Sequence, residues 1–194
     1  MQEILYKAFV VEEKDGAFFR SVKELSTAYL PKGDVLVRVH YSSLNYKDAL
    51  SATGNKGVTK NYPHTPGIDS AGVVVSSDSD LFQVGDEVIV SGNDLGMNTA
   101  GGYGQYIRVP AAWVVKLPQG LTMKEAMIIG TAGFTAGISL SRLYEKVQPA
   151  DGKIVVTGAT GGVGSVALSL LSKLRYETVA VSGKESEYDF IRSL

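Results

Sequence analysis

A strand, a glycine-rich turn, a helix and a second strand follow one another after residue 152, and this succession constrains the fold more than any other stretch. Residues 153–157 are mostly apolar and β-branched, as in a buried strand, and residues 158–164 form the turn. Apolar residues then recur at helical spacing between Val163 and Leu174, and residues 178–181 have the composition of a second strand. The order predicts a β-strand, helix, β-strand unit of a parallel sheet.

The turn has the composition of a dinucleotide-binding loop. Ala159, Gly161 and Gly164 stand at the three fingerprint positions, with alanine in place of the first glycine. Small residues let the backbone approach a pyrophosphate, and the N–H groups at the start of the next helix stabilise the anion. A glycine-rich turn with a structural role only is the alternative, and the flanking strands and helix argue against it.

The residues after the second strand indicate which nicotinamide cofactor fits. An acid about 20 residues past the fingerprint holds the ribose of NAD, whereas a basic residue accepts the 2′-phosphate of NADP. This chain has Ser182, Gly183 and Lys184 there. With no acid to repel the phosphate, a hydroxyl to donate and a lysine to supply charge, the sequence favours NADP(H). Lys184 as a solvated surface lysine is the alternative, so the missing acid is the stronger part of the argument.

Composition excludes several classes of function. The 194-residue chain has a net charge of −1, which predicts no nucleic-acid surface and no binding to anionic membranes. It has no cysteine, which excludes disulfides, thiolate nucleophiles and zinc sites built on sulfur, and its two histidines, His40 and His64, predict no metal site. We expect no apolar run long enough to span a membrane, no signal peptide and therefore a cytoplasmic protein.

The first part of the chain has a different pattern. Residues 1–122 are rich in strand signals, among them a turn at Asp15 and Gly16, and residues 42–48 could begin a short helix capped by an asparagine or a serine. Thr122 and Glu125 then form a predicted capping box, and a helix-rich segment follows, with Gly130 and Gly133 interrupting it. The change of pattern predicts a domain boundary near residue 122.

Six segments spread over nearly the whole chain resemble a known family: residues 43–48, 66–69, 84–88, 101–102, 130–136 and 157–164. With them the chain resembles the zinc-free quinone oxidoreductase branch of the medium-chain dehydrogenase/reductase superfamily, which is alcohol dehydrogenase-like. Within that branch it is similar to the NADPH-dependent YhdH/YhfP group, which includes acryloyl-CoA reductases.

The resemblance implies an α/β fold with two domains. A β-rich GroES-like catalytic domain would occupy residues 1–122, and the N-terminal part of a Rossmann NADP-binding domain, a doubly wound parallel sheet, would occupy residues 123–194. Because such a sheet has six strands and two are recognisable here, we expect the chain to be a truncated part of a longer protein. A homodimer is also implied.

The resemblance further implies an enzyme that works with NADP(H) and without zinc. Asn45 stands where zinc-dependent members have a cysteine ligand, and residues 67–69 replace their Gly-His-Glu. The implied reaction is hydride transfer to an activated double bond in a small electrophilic substrate: a quinone, an enone or an acryloyl-CoA-type enoyl thioester.

Site residues follow from the resemblance. Tyr46 is the first catalytic candidate, as a phenol that contacts the cofactor and donates to substrate, and Asn45 is the second. Contacts to the cofactor are implied for Tyr46, Thr131, Thr160, Gly161, Gly162, Val163, Ser182, Gly183 and Lys184. Three alternatives stay open: Tyr46 as a packed loop aromatic, Asn45 as a turn-capping amide and Thr131 as a helix cap. Asp48 is expected to be a structural partner of a nearby cation.

Two other functions compete with this interpretation. Thr157, Gly158, Gly162 and Gly164 also match the turn of short-chain dehydrogenases, but those proteins open with their nucleotide domain and carry a Tyr-x-x-x-Lys pair that this chain lacks. A non-catalytic NADPH-binding or interaction protein on the same fold is the second alternative, because a fold does not determine a function.

Overall fold

The computed structural model describes residues 3–194, which form two compact units that divide between Thr131 and Ala132. Each unit is described by itself. The fold class is the predicted one, a β-rich unit followed by the start of a Rossmann-type parallel sheet. The domain boundary predicted near residue 122 stays a prediction.

The first unit opens with a β-hairpin. Strands β1 (Leu5–Lys14) and β2 (Ala17–Ser26) pair antiparallel in continuous register, from Leu5 opposite Ser26 to Lys14 opposite Ala17. Asp15 and Gly16 both have positive φ, 53° and 76°, as a two-residue hairpin turn of this hand requires. The turn predicted at these two residues is confirmed.

A five-stranded antiparallel sheet forms the body of the first unit, in the order β6-β3-β4-β5-β7. Its strands are β3 (Val35–Tyr41), β4 (Asp69–Ser77), β5 (Glu87–Ser91), β6 (Tyr106–Val109) and β7 (Val114–Lys116). Val35 and Val37 of β3 pack in the main core, whereas Leu36 between them packs in a second cluster with residues of β1. Successive side chains of a strand point to opposite faces, so β3 contributes to two cores.

Two helices carry the residues of interest in this unit. Helix α1 (Tyr46–Ala52) begins after Asn45, which is the N-cap, as one of the two predicted alternatives had it. Helix α2 (Met123–Tyr144) begins with the predicted capping box, in which the Glu125 N–H donates to the Thr122 hydroxyl at 3.2 Å. Gly130 breaks α2 with φ 50° and ψ −163°, but Gly133 does not, so the second predicted interruption is wrong.

Helix α2 also corrects an expectation about membranes. Its 22 residues, with a mean hydropathy of 1.2 over their most apolar window, make it long and apolar enough to span a bilayer by length and composition alone. We expected no such run. This is weak support for a membrane segment, because core helices pass the same test and the break at Gly130 interrupts the regular helix.

The second unit contains the predicted strand, turn, helix and strand. Strand β8 (Ile154–Thr157), helix α3 (Gly162–Lys173) and strand β9 (Thr178–Val181) follow in order, and a short helix α4 (Tyr188–Arg192) lies near the end of the chain. Strands β8 and β9 pair in parallel, from Ile154 opposite Thr178 to Thr157 opposite Val181. The second unit thus contains the βαβ element that the sequence predicted.

The core of the second unit forms between α2 and α3. Ala136 and Leu140 of α2 pack with Ala167 and Leu171 of α3 in one buried cluster. The sequence periodicity predicted that Leu174 would share this face, but its side chain is exposed, because Leu174 is the C-cap where the helix ends.

Candidate active site

The fully buried carboxylate of Asp69, the first residue of β4, organises the candidate site of the first unit. One of its oxygens accepts hydrogen bonds from the hydroxyls of Ser91 and Thr131, the latter at 2.7 Å. The other oxygen accepts from the Asn45 amide nitrogen at 2.8 Å and from the Thr131 backbone N–H at 2.9 Å. A carboxylate offers about four lone-pair sites, so these four donors saturate it.

A second buried carboxylate, Asp48, lies beside the first. Its oxygens accept from the backbone N–H groups of Asn45 at 2.8 Å and Ile68 at 2.9 Å, and from the Tyr103 hydroxyl at 3.1 Å. No ion pair within residues 3–194 includes Asp48, so the expected cation partner is wrong. Because the charge is held by N–H and O–H donors, Asp48 fixes the start of α1 without a cation.

Tyr103 stays a hydrogen-bond donor in this arrangement. Burial, followed by the neighbouring carboxylates of Asp48 and Asp69, raises the pKa of its phenol well above the usual range. Its single hydroxyl hydrogen is shared between Asp48 and the carbonyl of Ser43, whose oxygen lies 3.2 Å from the phenol oxygen. The residue therefore joins the carboxylate of Asp48 to the segment that leads into α1.

Close backbone contacts explain two of the motif segments, residues 66–69 and 101–102. The Gly102 N–H donates to the Gly67 carbonyl at 2.8 Å, and Gly67 has φ 112°, a conformation that favours glycine. A Cβ on Gly102 would stand 2.5 Å from the Asp69 carbonyl oxygen. The glycines thus let one loop approach the chain that carries Asp69.

The structure gives Asn45 and Tyr46 different surroundings. The half-buried Asn45 caps α1 and donates its side-chain amide to Asp69, while the next side chain, Tyr46, is 79% exposed. The Tyr46 ring is therefore not packed in the core of its unit, contrary to the alternative of a packed loop aromatic. The catalytic roles of both residues remain predictions.

Thr131 lies directly after the break in α2. Because both its backbone N–H and its hydroxyl donate to Asp69, the structure brings Thr131 and Asn45 to the same carboxylate. A Cβ on Gly130 would stand 2.6 Å from the Ser43 hydroxyl oxygen and 3.1 Å from Asp69 Oδ2. The glycine is needed both for its backbone conformation and for space.

In the second unit, the glycine-rich turn has the geometry of a phosphate-binding loop. Gly158 has φ 62°, Ala159 is buried with its N–H on the Val181 carbonyl at 3.2 Å, and Gly161 is the N-cap of α3. A Cβ on Gly164 would stand 2.3 Å from the Gly158 carbonyl oxygen, so only glycine allows this approach of helix to strand.

The predicted phosphate contacts are accessible. Gly161, Gly162 and Val163 are exposed and Thr160 is half-buried, and they lie at the start of α3, where the first N–H groups of a helix have no intrahelical partner. Such a helix start favours an anion through its dipole and its unpaired donors.

Ser182, Gly183 and Lys184 form a turn after β9. The Lys184 backbone N–H donates to the Ser182 hydroxyl oxygen at 3.1 Å, and Gly183 and Lys184 are exposed. Among the ion pairs of residues 3–194, none includes Lys184. Its charge is therefore available to a ligand, although its contact to a 2′-phosphate stays a prediction.

Sequence reasoning missed the residue that holds the first unit's site together. Asp69 belonged to a motif segment but was given no role, and Ser91 and Tyr103 were not considered. The one available signal was an acid at the start of an otherwise apolar strand, where burial requires hydrogen-bond partners. The identity of those partners depends on contacts distant in sequence.

Comparisons with known proteins agree with this geometry. Residues 31–119 match the alcohol dehydrogenase GroES-like domain family. The chain is 50% identical over 189 residues to the probable acrylyl-CoA reductase AcuI of Escherichia coli. The aligned residues are 97% of this chain and 58% of that protein.

Solved structures give the same result. The yhdH oxidoreductase of Salmonella enterica, in complex with NADP, is 48% identical with a TM-score of 0.93 over 96% of this chain and 58% of that one. The putative quinone oxidoreductase YhfP of Bacillus subtilis is 44% identical, and its structure with NAD bound has a TM-score of 0.92 over 98% of this chain and 58% of that one.

The chain spans 58% of the length of these relatives. Over that span the match includes both the GroES-like residues and the dinucleotide loop, and it confirms the resemblance predicted from the six motif segments. Residues 31–119 thus have the alcohol dehydrogenase GroES-like domain, and over 97% of its length the chain is similar to the group of the medium-chain dehydrogenase/reductase superfamily that contains YhdH and YhfP.

Proposed function

We propose that the protein is an NADPH-dependent, zinc-independent oxidoreductase that transfers hydride to an activated carbon–carbon double bond or a quinone. The observation that carries the proposal is the dinucleotide loop, in which Gly164 packs against Gly158, on a chain 50% identical to a probable acrylyl-CoA reductase. The acceptor class is a quinone, an enone or an enoyl thioester such as acryloyl-CoA. A cytoplasmic location, expected from the sequence, and a homodimer, implied by the resemblance, are further parts of the proposal.

NADP(H) is the proposed cofactor because of the residues after β9. The exposed Lys184 and the hydroxyl of Ser182 suit a 2′-phosphate, and no acid stands at this position to bind the ribose of NAD or to repel the phosphate. The relatives differ here, since one structure holds NADP and another NAD. The preference therefore needs its own test.

Replacing Lys184 by alanine should weaken the binding of NADPH about tenfold and leave that of NADH nearly unchanged, because the side chain would lose one charge-assisted contact to the phosphate. Titration calorimetry of the full-length protein with both cofactors measures this. Lys173→Ala, an exposed lysine at the end of α3, is the matched control and should change neither affinity. Equal losses for NADPH and NADH would contradict the assignment of Lys184.

The donor set supports a mechanism without zinc. Asn45 stands at the position of the cysteine ligand and donates to Asp69, whose oxygens are already saturated by four donors. No group of three or more His, Asp or Glu residues within residues 3–194 could hold a metal ion. A metal at this position would have to displace hydrogen bonds that a buried carboxylate needs.

Hydrogen-bond donors of the chain then have to stabilise the reaction. NADPH, when bound, supplies the hydride. The exposed phenol of Tyr46 can donate to the carbonyl oxygen of the substrate, where negative charge develops, and can supply a proton to the product. Asn45 keeps one amide N–H that is not used by Asp69 and could assist.

The experiment that tests the function is consumption of NADPH by the full-length protein, followed by absorbance, with acryloyl-CoA and a small quinone as parallel acceptors. Turnover with either supports the proposal. Tight binding of NADPH without turnover on any acceptor favours the alternative, a non-catalytic NADPH-binding protein.

Tyr46→Phe should lower kcat about a hundredfold with little change in the affinity for NADPH, because it removes the donor and proton source but keeps the ring. Steady-state kinetics with the better acceptor measures this. Tyr29→Phe removes a second, equally exposed phenol from the same unit and should leave kcat unchanged. If both variants behave alike, Tyr46 has no catalytic role.

A further inference from the structure

Four separate parts of the first unit meet at the side chain of Asp69. Asp69 itself begins β4, Ser91 ends β5, Asn45 precedes α1, and Thr131 follows the break in α2. The carboxylate is completely buried, and no ion pair to it exists in the part of the chain that the structure describes. A buried charge without a cation is costly unless every lone pair is used, as it is here.

The carboxylate of Asp69 determines the orientation of the Asn45 and Thr131 side chains. A carboxylate only accepts hydrogen bonds, so the Asn45 side chain must turn its NH2 group towards Asp69, and its carbonyl oxygen faces away. The Thr131 hydroxyl and the Thr131 backbone N–H both donate to Asp69, so the carboxylate fixes the side chain of Thr131 relative to its own backbone. Asp69 thereby fixes the orientation of both side chains.

We propose that Asp69 is a positioning residue, which acts on the reaction by orienting Asn45 and Thr131 and touches neither substrate nor cofactor. This inference rests on the proposed function. Asn45 is a catalytic candidate and Thr131 a cofactor candidate, and neither residue is held in its orientation by its own element alone. One carboxylate couples them, so a change at Asp69 displaces both residues together.

A purely structural role for Asp69 makes different predictions. Loss of a buried polar group would lower stability, and the kinetic loss would follow stability alone. A positioning role of Asp69 predicts that its substitution lowers kcat although the protein remains folded. It also predicts that the size of this loss depends on the presence of Asn45 or Thr131. A double-mutant cycle distinguishes the two roles, because residues that act through one another give non-additive effects.

The test uses Asp69→Asn in the full-length protein. The amide has the same shape but replaces one acceptor oxygen with a donor. At the Oδ2 position the new NH2 group opposes both the Asn45 amide and the Thr131 N–H, and at the Oδ1 position it forces the hydroxyls of Ser91 and Thr131 to rotate and accept. We expect kcat to fall about tenfold to a hundredfold while the thermal transition remains cooperative. In the Asn45→Ala or the Thr131→Val background, the same substitution should cost less than about threefold.

Thr59→Val is the matched control for stability. It breaks the buried hydrogen bond between the Thr59 and Ser51 hydroxyls, in the same unit, and neither residue is hydrogen-bonded to Asp69. It should lower the melting temperature and leave kcat unchanged. Wild-type kcat in Asp69→Asn, or equal losses from Asp69→Asn in all backgrounds, would overturn the inference.

If Asp69→Asn does not fold, Ser91→Ala takes its place. It removes one donor to Asp69 and leaves the carboxylate and Asn45 intact, and positioning predicts a loss of about threefold in kcat. An unchanged kcat in folded Ser91→Ala would then overturn the inference. Failure of the proposed function can be told from failure of this inference, because the wild-type protein itself would then show no turnover.

Discussion

Substitution of Gly164 by alanine is expected to abolish measurable NADPH binding, with the Kd raised at least about a hundredfold. The added Cβ would stand 2.3 Å from the Gly158 carbonyl oxygen, 2.9 Å from its carbonyl carbon and 3.0 Å from the Ala159 Cα. All three atoms belong to the backbone, so no flexible side chain can move aside. Either the loop or the start of α3 has to shift, and the donors of the phosphate site shift with it.

Gly137→Ala is the matched control for this prediction. Gly137 lies in the second half of α2, in the same unit, and a Cβ there has open space. Because alanine is the better helix former, this variant should gain up to about 1 kcal/mol in the free energy of unfolding and bind NADPH normally. Fluorescence titration of NADPH and thermal unfolding measure both variants. Normal NADPH binding by Gly164→Ala would show that the loop is not the cofactor site.

Gly130→Ala is expected to have the second largest effect, with a loss of about 3 kcal/mol in the free energy of unfolding and a fall in kcat that exceeds that of Asp69→Asn. Its backbone, at φ 50° and ψ −163°, is strained for any residue with a Cβ. The Cβ would also stand 2.6 Å from the Ser43 hydroxyl oxygen and 3.1 Å from Asp69 Oδ2. Relief of these contacts would pull Thr131 from the carboxylate.

Gly120→Ala separates the two causes. Gly120 also has positive φ, 85°, but a Cβ there meets nothing within 4 Å. It should cost only about 1 kcal/mol, the backbone part, and leave kcat unchanged. Urea unfolding and steady-state kinetics of both variants give the comparison. Equal losses of stability and kcat in Gly130→Ala and Gly120→Ala would mean that the contacts with Ser43 and Asp69 do not contribute to the effect.

Local patterns predicted local structure well in this protein. The hairpin turn at Asp15 and Gly16, the capping box at Thr122 and the strand order around α3 depend on residues close in sequence, and all three are as predicted. The glycine pattern likewise located the loop with Gly164. Each of these features is determined by backbone conformation or by the period of a single element.

The arrangement around Asp69 could not be predicted in this way. Its partners come from residues 22 to 62 positions away, and they meet only after the sheet has formed. For the same reason the sequence suggested a cation for Asp48, whereas the tertiary structure supplies N–H groups and the phenol of Tyr103. Charges buried among dipoles leave no periodic signal in a sequence.

The position of β3 has a consequence for how the first unit folds. This strand is hydrogen-bonded to β4 on one side and β6 on the other, and it places Val35 and Val37 in one core and Leu36 in the other. Neither core can open while the other stays intact, because both would lose the same strand. We therefore expect no partially unfolded state of low free energy in this unit, and its hairpin and sheet should unfold in one cooperative transition.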